Sequence, residues 1–396
     1  MASAVSEQHG SERLGRYLRQ LRRGYGYTLR RVEEQSGQYG PAIDNSQLSR
    51  FEKGKAAPSF DKLRILARVF NVPVQHFSDI LDLAECDAVE PREQDPEALF
   101  QIGLAAYREG DYVRSYAVFE TLTRRAARET GPVWAENGAR GGYHMAVALK
   151  KMGRLSMAES ELRNLLRRPD DSYPPSLRVR ALLQLSFVYR ELGDLYLASV
   201  IAKECHMRAV TGADDETVAA ALNTAGIIEE ERGHLQRAAE SYRSALDVIR
   251  RDPDRELMRV TVQANLGGVL TATGRYRAGV ALLKQALTVA RRHGFRRPVC
   301  LALTKLAAAH RRKGHLRQAE ELLRESTEIA AAKDDTYQDI LFINAFLSWQ
   351  MAREAGRTAK ARILFGRLKY LRNTLESRFP EVDSFDRAVR GETHHG

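Results

Sequence analysis

Four residues with a clear capacity for recognition chemistry lie close together: Asn45, Ser46, Gln47 and Arg50. Two amides, a hydroxyl and a guanidinium are the groups that exchange hydrogen bonds with base edges in a major groove. Arg50 suits a guanine, because its planar fork meets two acceptors at once. The surrounding stretch runs Asp44-Asn45-Ser46-Gln47-Leu48-Ser49-Arg50-Phe51-Glu52-Lys53-Gly54-Lys55. Asp44 or Asn45 can cap a short helix, and Gly54 ends it between two lysines. Leu48 and Phe51 give it one apolar side, so the polar four are left to solvent. Residues arranged for catalysis are missing by contrast. There is no Gly-rich phosphate loop, no Ser/His/Asp elbow and no clustered His/Cys ligand set. Gly267-Gly268 falls inside a helical pattern, and His394-His395 lies in the tail. No enzyme, metal site or cofactor is expected.

Those four residues need a frame to aim them. Residues 1–11 are small and polar and read as disordered. Leu14, Leu18 and Leu21 then form an apolar helical stripe, with Arg13, Arg16, Arg19, Arg22 and Arg23 on the other faces. Thr28 caps a short helix with Leu29 and Val32 inward, and a loop runs from Gln38 to Ile43. Ser59 caps a helix facing inward through Phe60, Leu63, Leu66, Ala67 and Phe70. A last one, from Val74, carries Phe77, Ile80 and Leu81.

Leu18-Arg19-Gln20-Leu21-Arg22, Thr28-Leu29-Arg30-Arg31-Val32, the run Leu48 to Lys55, Pro58-Ser59 and Leu66-Ala67-Arg68-Val69-Phe70-Asn71-Val72 resemble the phage repressor/Cro-like (XRE-type) helix-turn-helix family. That resemblance implies that the third helix meets the bases through Asn45, Ser46, Gln47 and Arg50. It implies phosphate contacts at Arg30, Lys53 and Lys55, and a structural pairing of Glu52 with an arginine of the first helices. The Gln38–Ile43 loop is longer than the usual tight turn, which leaves the aim of the third helix open.

Residues 12–82 are therefore read as this domain and 83–96, acidic and marked by Pro91 and Pro96, as a linker. Beyond it the chain repeats. Turn glycines recur at Gly110, Gly153, Gly193, Gly233, Gly274, Gly314 and Gly356, at intervals of 43, 40, 40, 41, 40 and 42. Five residues after each glycine comes a small residue: Ser115, Ala158, Ala198, Ala238, Gly279, Ala319 and Ala361. Four further on the residue is mostly large, as at Phe119, Tyr242, Leu283 and Phe365. Such a period means stacked helix pairs, with the large residues expected in the seams between units. The pattern resembles tetratricopeptide repeats over 97–378, leaving 379–396 as a tail. The expected fold is all-α: a five-helix module followed by a solenoid of about seven helix pairs. By the resemblance, the inner face comes from the first helix of each pair and includes Arg140, Tyr143, Lys150, Arg180, Arg190, Asn223, Asn265, Thr271 and Arg311. This basic, amide-rich set could grip an extended peptide.

Composition sets the outer limits. At 396 residues, 43% hydrophobic and 29% charged, the chain is too long for one compact core. Its net charge of +11 divides into +4 for residues 1–82 (13 basic, 9 acidic) and +7 for the rest (49 basic, 42 acidic). A basic surplus spread this way permits nucleic-acid binding without specifying it. No run approaches the ~18 apolar residues of a membrane helix, and Met1–Gly10 has no secretory h-region. Cys86, Cys205 and Cys300 are far apart and read as reduced thiols of a cytoplasmic protein. The pairing of a Cro-like module with a helical array resembles the RRNPP-type peptide-pheromone receptors. That implies a transcription regulator acting as a homodimer on a double-stranded DNA operator, with a peptide or protein ligand on the array. Two other readings stand beside it: a protein-interaction scaffold or antagonist, and a constitutive repressor whose array only dimerises.

Overall fold

The computed structural model describes residues 2–83, 91–169, 172–212, 215–250, 253–332, 336–375 and 377–393. Among them are twenty α-helices and no strand. The first five form the N-terminal module: α1 (Ala2–Gly24), α2 (Leu29–Ser36), α3 (Asn45–Glu52), α4 (Phe60–Val69) and α5 (Val74–Asp82). Leu14, Leu18, Val32, Ile43, Leu48, Phe51, Leu66, Phe70 and Phe77 make its core. Helix α1 runs from Ala2, so the disorder expected for 1–11 is not what the fold shows. Nothing between Ala2 and Glu12 breaks a helix as proline would, and Gly10 alone weakens it.

Three residues depart from the pattern. Arg13, expected outside, is only 5% exposed. Phe60, expected inside, is 66% exposed, because at the first position of α4 its side chain lies beyond the packed turns. Leu81 is 36% exposed, one residue off the stripe of Phe77 and Ile80. The long loop before α3 is pinned. Ile43 is fully buried, and its N–H donates to Ser36 Oγ at 2.8 Å.

Seven helix pairs come next in the chain. They are α6 (Pro96–Arg108) with α7 (Tyr112–Ala126), α8 (Pro132–Lys151) with α9 (Leu155–Leu166), and α10 (Pro175–Glu191) with α11 (Leu195–Gly212). Then come α12 (Asp215–Glu231) with α13 (Leu235–Val248), and α14 (Glu256–Ala272) with α15 (Tyr276–Arg292). The last are α16 (Arg296–Arg312) with α17 (Leu316–Ala330), and α18 (Gln338–Glu354) with α19 (Thr358–Thr374). Each turns at a glycine with φ between +67° and +86°, the left-handed region that side chains disfavour. The period is helical length: α14 and α15 have 17 residues each, and the turns 273–275 and 293–295 supply the rest of the 40-residue repeat.

The large residues fill notches inside their own pair rather than seams between units. A Cβ on Gly103 would stand 2.6 Å from Phe119, one on Gly226 2.5 Å from Tyr242, and one on Gly267 2.7 Å from Leu283. The small residues exist so that these side chains can cross to the partner helix. A twentieth helix, α20 (Pro380–Thr393), lies where a tail was expected. Val382 and Phe385 are buried against Phe342, Trp349 and Phe365 of the last pair, which gives α20 its reason to fold.

The chain forms two compact units, residues 1–173 and 174–396. The division falls inside what was expected as one array, at the stretch carrying Pro169, Pro174 and Pro175. The first unit holds the N-terminal module and two helix pairs; the second holds five pairs and α20. Residues 84–90, most of the acidic linker with Cys86, lie outside the described residues, as does His394-His395. The end of the linker is tied down: Arg125 donates to the carbonyls of Pro91, at 3.0 Å, and Glu93. Cys205 and Cys300 are free and buried.

Candidate functional site

Asp44 caps α3 through its carboxylate, which accepts from the Gln47 N–H and the Ser46 hydroxyl, both at 2.8 Å. Those bonds hold its carboxyl below the usual range, the Gln47 contact first. The cap therefore stays charged near neutrality and fixes the first turn. Two of the four residues expected to read bases are committed in part. Ser46 donates to the cap, and Gln47 Oε1 accepts from Lys62 Nζ at 2.9 Å. Asn45 and Arg50 are exposed, and neither side chain has a partner among the described residues. Around them Lys53 and Lys55 are exposed, and Arg30 makes a loose 3.6 Å pair with Glu34.

Helix α3 is held at its other end by a charged clamp. Arg22 donates to both oxygens of Glu52, from Nε at 2.6 Å and Nη2 at 2.9 Å, and Glu52 is 8% exposed. Close approach of α1 and α3 requires Gly15, where a Cβ would lie 2.4 Å from the Phe51 carbonyl oxygen. Gly54 takes φ +66° against the Glu12 backbone.

The module also packs on the first two helix pairs of its own unit, which sequence reasoning missed. Buried Arg13 gives two bonds to Glu120, at 2.9 and 2.7 Å, and Tyr116 donates to the same carboxylate at 3.2 Å. Arg154 pairs with buried Asp79 at 2.9 Å, and Tyr17 meets His76 at 3.2 Å. Burial here pushes the Glu161 carboxyl up to about 7, with the charge of Glu120 adding to it. An arginine one residue off the apolar stripe that starts at Leu14 gave no sign of burial; only the helix pair covering α1 explains it.

The nine residues expected on an inner face fall into two groups, one per unit. In the first, Arg140 lies 3.8 Å over the Phe100 ring and pairs with Glu97, while Tyr143 meets His144 edge-on and Lys150 is half-buried. In the second, Asn265 donates to Asn223 at 3.1 Å, both buried, and Thr271 accepts from Arg312 at 3.2 Å. Arg190 pairs with Glu231 at 2.8 Å and Arg311 with Glu354, whereas Arg180 is exposed. Lys305, Arg312, Glu230 and Tyr242 belong to the second group and were not foreseen. Lys305 Nζ donates to Glu230 at 3.1 Å, and the Tyr242 hydroxyl donates to the same carboxylate at 2.9 Å.

Another part of the chain reaches the helices that carry the second group. The Arg378 N–H donates to the Glu191 carbonyl at 2.9 Å, beside Gly193. Phe379 packs edge-on against Phe342. Burial raises the Glu381 carboxyl, with Lys305 opposing and Glu230 adding to the shift. Residues 377–381 thus run from the end of α10 to the middle of α16.

Two family models match parts of the chain. The helix-turn-helix family matches residues 18–77, and the tetratricopeptide repeat family matches residues 258–332. None of the curated proteins matches. Among solved structures, the apo form of the quorum sensor NprR from B. thuringiensis has a TM-score of 0.53 at 13% identity, covering 84% of this chain and 97% of that one. A Rap protein complexed with competence and sporulation factor also gives 0.53, at 14% identity over 95% and 99%. The apo form of RapI gives 0.50 at 16% identity over 65% and 90%. At these identities the likeness is one of fold. The chain carries an XRE-type helix-turn-helix domain at its N-terminus and tetratricopeptide repeats behind it. Neither matching family is enzymatic. No helix among the described residues is long and apolar enough to cross a membrane.

Proposed function

We propose that the chain is a sequence-specific transcription regulator, cytoplasmic, that reads a double-stranded operator with α3. The observation that carries this is the pair Asn45 and Arg50, open on a helix whose two ends are locked by Asp44 and Glu52. A side chain that reads a base must be free while its backbone is fixed. Gln47, Ser46, Arg30, Lys53 and Lys55 complete the contact, the last three on phosphates. The protein would bind as a homodimer, on half-sites one duplex turn, ~34 Å, apart. Selection from a pool of random duplexes tests this. One enriched two-fold motif is expected, with affinity falling steeply as salt rises. A pool that emerges without enrichment would defeat the reading.

The ligand reading rests on residues 377–381. An extended piece of polypeptide lying on α10 and α16 favours a ligand of the same form, a peptide held partly by its backbone. That ligand competes with the chain's own segment. Arg378→Pro removes the N–H that reaches Glu191, and peptides drawn from a random library should then bind several-fold tighter than to the parent chain. Equal binding by both would remove the segment from the ligand site. Absence of any peptide binding would favour an array that only dimerises.

A further inference from the structure

Helix α11 differs from α13, α15 and α17 of the second unit; α19 also turns large apolar groups outward, Ile363 and Tyr370, but with Ala359, Gly366 and Asn373 at its other outward positions it offers no continuous seam. Counting from the turn glycine, its outward positions are Tyr196, Val200, Lys203, Met207 and Val210. In α13 the same positions hold Gln236, Glu240, Arg243, Asp247 and Arg250; in α17 they hold Arg317, Glu321, Arg324, Glu328 and Ala331. Polar residues there are what a solvated face requires. In α11, Tyr196 is 71% exposed, Met207 65%, Val210 63% and Val200 44%. The opposite side of α11, through Ala198, Ala202, Cys205 and Ala209, is already buried in the array. An 18-residue helix, ~27 Å long, is thus apolar on two sides, and one side is uncovered.

The steps between the five positions are 4, 3, 4 and 3. That is the seam of a coiled coil, with a single polar residue at its centre, the device that sets register at some cost in stability. The seam is also its own complement. Turned about a two-fold axis at Lys203, Tyr196 of one copy faces Val210 of the other and Val200 faces Met207. Each Lys203 then lies beside Glu204 of the other copy, so the central charges pair instead of repelling.

We propose that α11 is where two copies of this chain associate, antiparallel, about an axis passing at Lys203. This deepens the homodimer reading above by naming its surface, and it rests on that reading. The repeat scaffold positions the seam and takes no other part in the contact.

The test uses the full chain in three forms. By sedimentation the parent should be a dimer. Val200→Glu/Met207→Glu, at two exposed positions, should be a monomer with unchanged helical circular dichroism and a self-association weakened at least a hundredfold. Under mild oxidation, Lys203→Cys should cross-link to itself. Gln236→Cys, at an outward position of α13 and with the same native cysteines, should not. A double variant that stays dimeric, or equal cross-linking at both positions, would overturn the α11 surface and leave the dimer standing. A parent chain that is monomeric at every concentration, alone and on DNA, would overturn both.

Discussion

Helix α3, the proposed reader, and the proposed ligand face of the second unit hold similar side chains in opposite conditions. At α3 the backbone is clamped while Asn45 and Arg50 have no partner among the described residues. On the inner face Asn223 and Asn265 bond each other, Arg190 and Lys305 hold carboxylates, and residues 377–381 lie across the helices. A surface with unspent hydrogen-bonding capacity can bind at once. A surface whose groups are satisfied internally binds only what replaces those bonds, so its occupancy can be set by competition. The two regions suit a reader that is always ready and a sensor that is closed until displaced.

Breaking the clamp should have the largest effect. Glu52→Ala leaves the part-buried Arg22 without its carboxylate and with only the Tyr27 carbonyl to donate to, a loss of up to about 3 kcal/mol. The module should then unfold at clearly lower denaturant, followed by the fluorescence of Tyr25 and Tyr27. A variant as stable as the parent would mean that α3 is aimed by packing alone. Next comes the scaffold of the inner face. Gly226→Leu drives a side chain into Tyr242 and should cost about 1–3 kcal/mol, or more if the ring cannot move. Its mark should be lost peptide binding with operator binding kept, which would show the two regions to be separable.

Smaller changes sharpen the contrast. Lys53→Ala with Lys55→Ala should weaken binding to all duplexes alike and lower the slope of log affinity against log salt by about 2. A change in preferred sequence instead would place a base contact there. The last effect, read in pH, concerns how the module is docked. The Glu161 carboxyl titrates at about 7 in the folded protein against 4.5 for an ordinary glutamate, so the folded state holds its proton more tightly. Its contribution to stability is therefore complete below pH 4.5 and lost as pH rises through 7. Thermal unfolding across that window should show this decline, and Glu161→Gln should flatten it.

Much of this was legible in the sequence for definite reasons. The turn glycines fix seven pairs because only a positive φ closes each turn. Asp44, Leu48, Phe51 and Gly54 fix α3 because cap, core and stop are all local. What lay hidden depends on distant partners. Arg13 looks like its exposed neighbours until Glu120 and Tyr116 are brought over it. Lys305 and Arg312 stand on a helix rich in basic residues, and only Glu230 and Thr271 across the array distinguish them. Helix α20 comes after the last repeat and obeys no period, so Val382 and Phe385 carried no signal beyond their own hydrophobicity. The order of Phe119 on Gly103 and Tyr242 on Gly226 was visible as spacing, but which helices the large residues joined was not.

If α3 reads bases, Arg50 is the residue at which that reading should show. Affinities of the parent and Arg50→Ala would be measured on the selected operator and on all its single-base variants. The account predicts a loss of about 1–3 kcal/mol on the operator, with discrimination erased at one base pair in each half-site and kept elsewhere. A loss equal on every sequence, operator and variants alike, would make Arg50 a phosphate contact and contradict it.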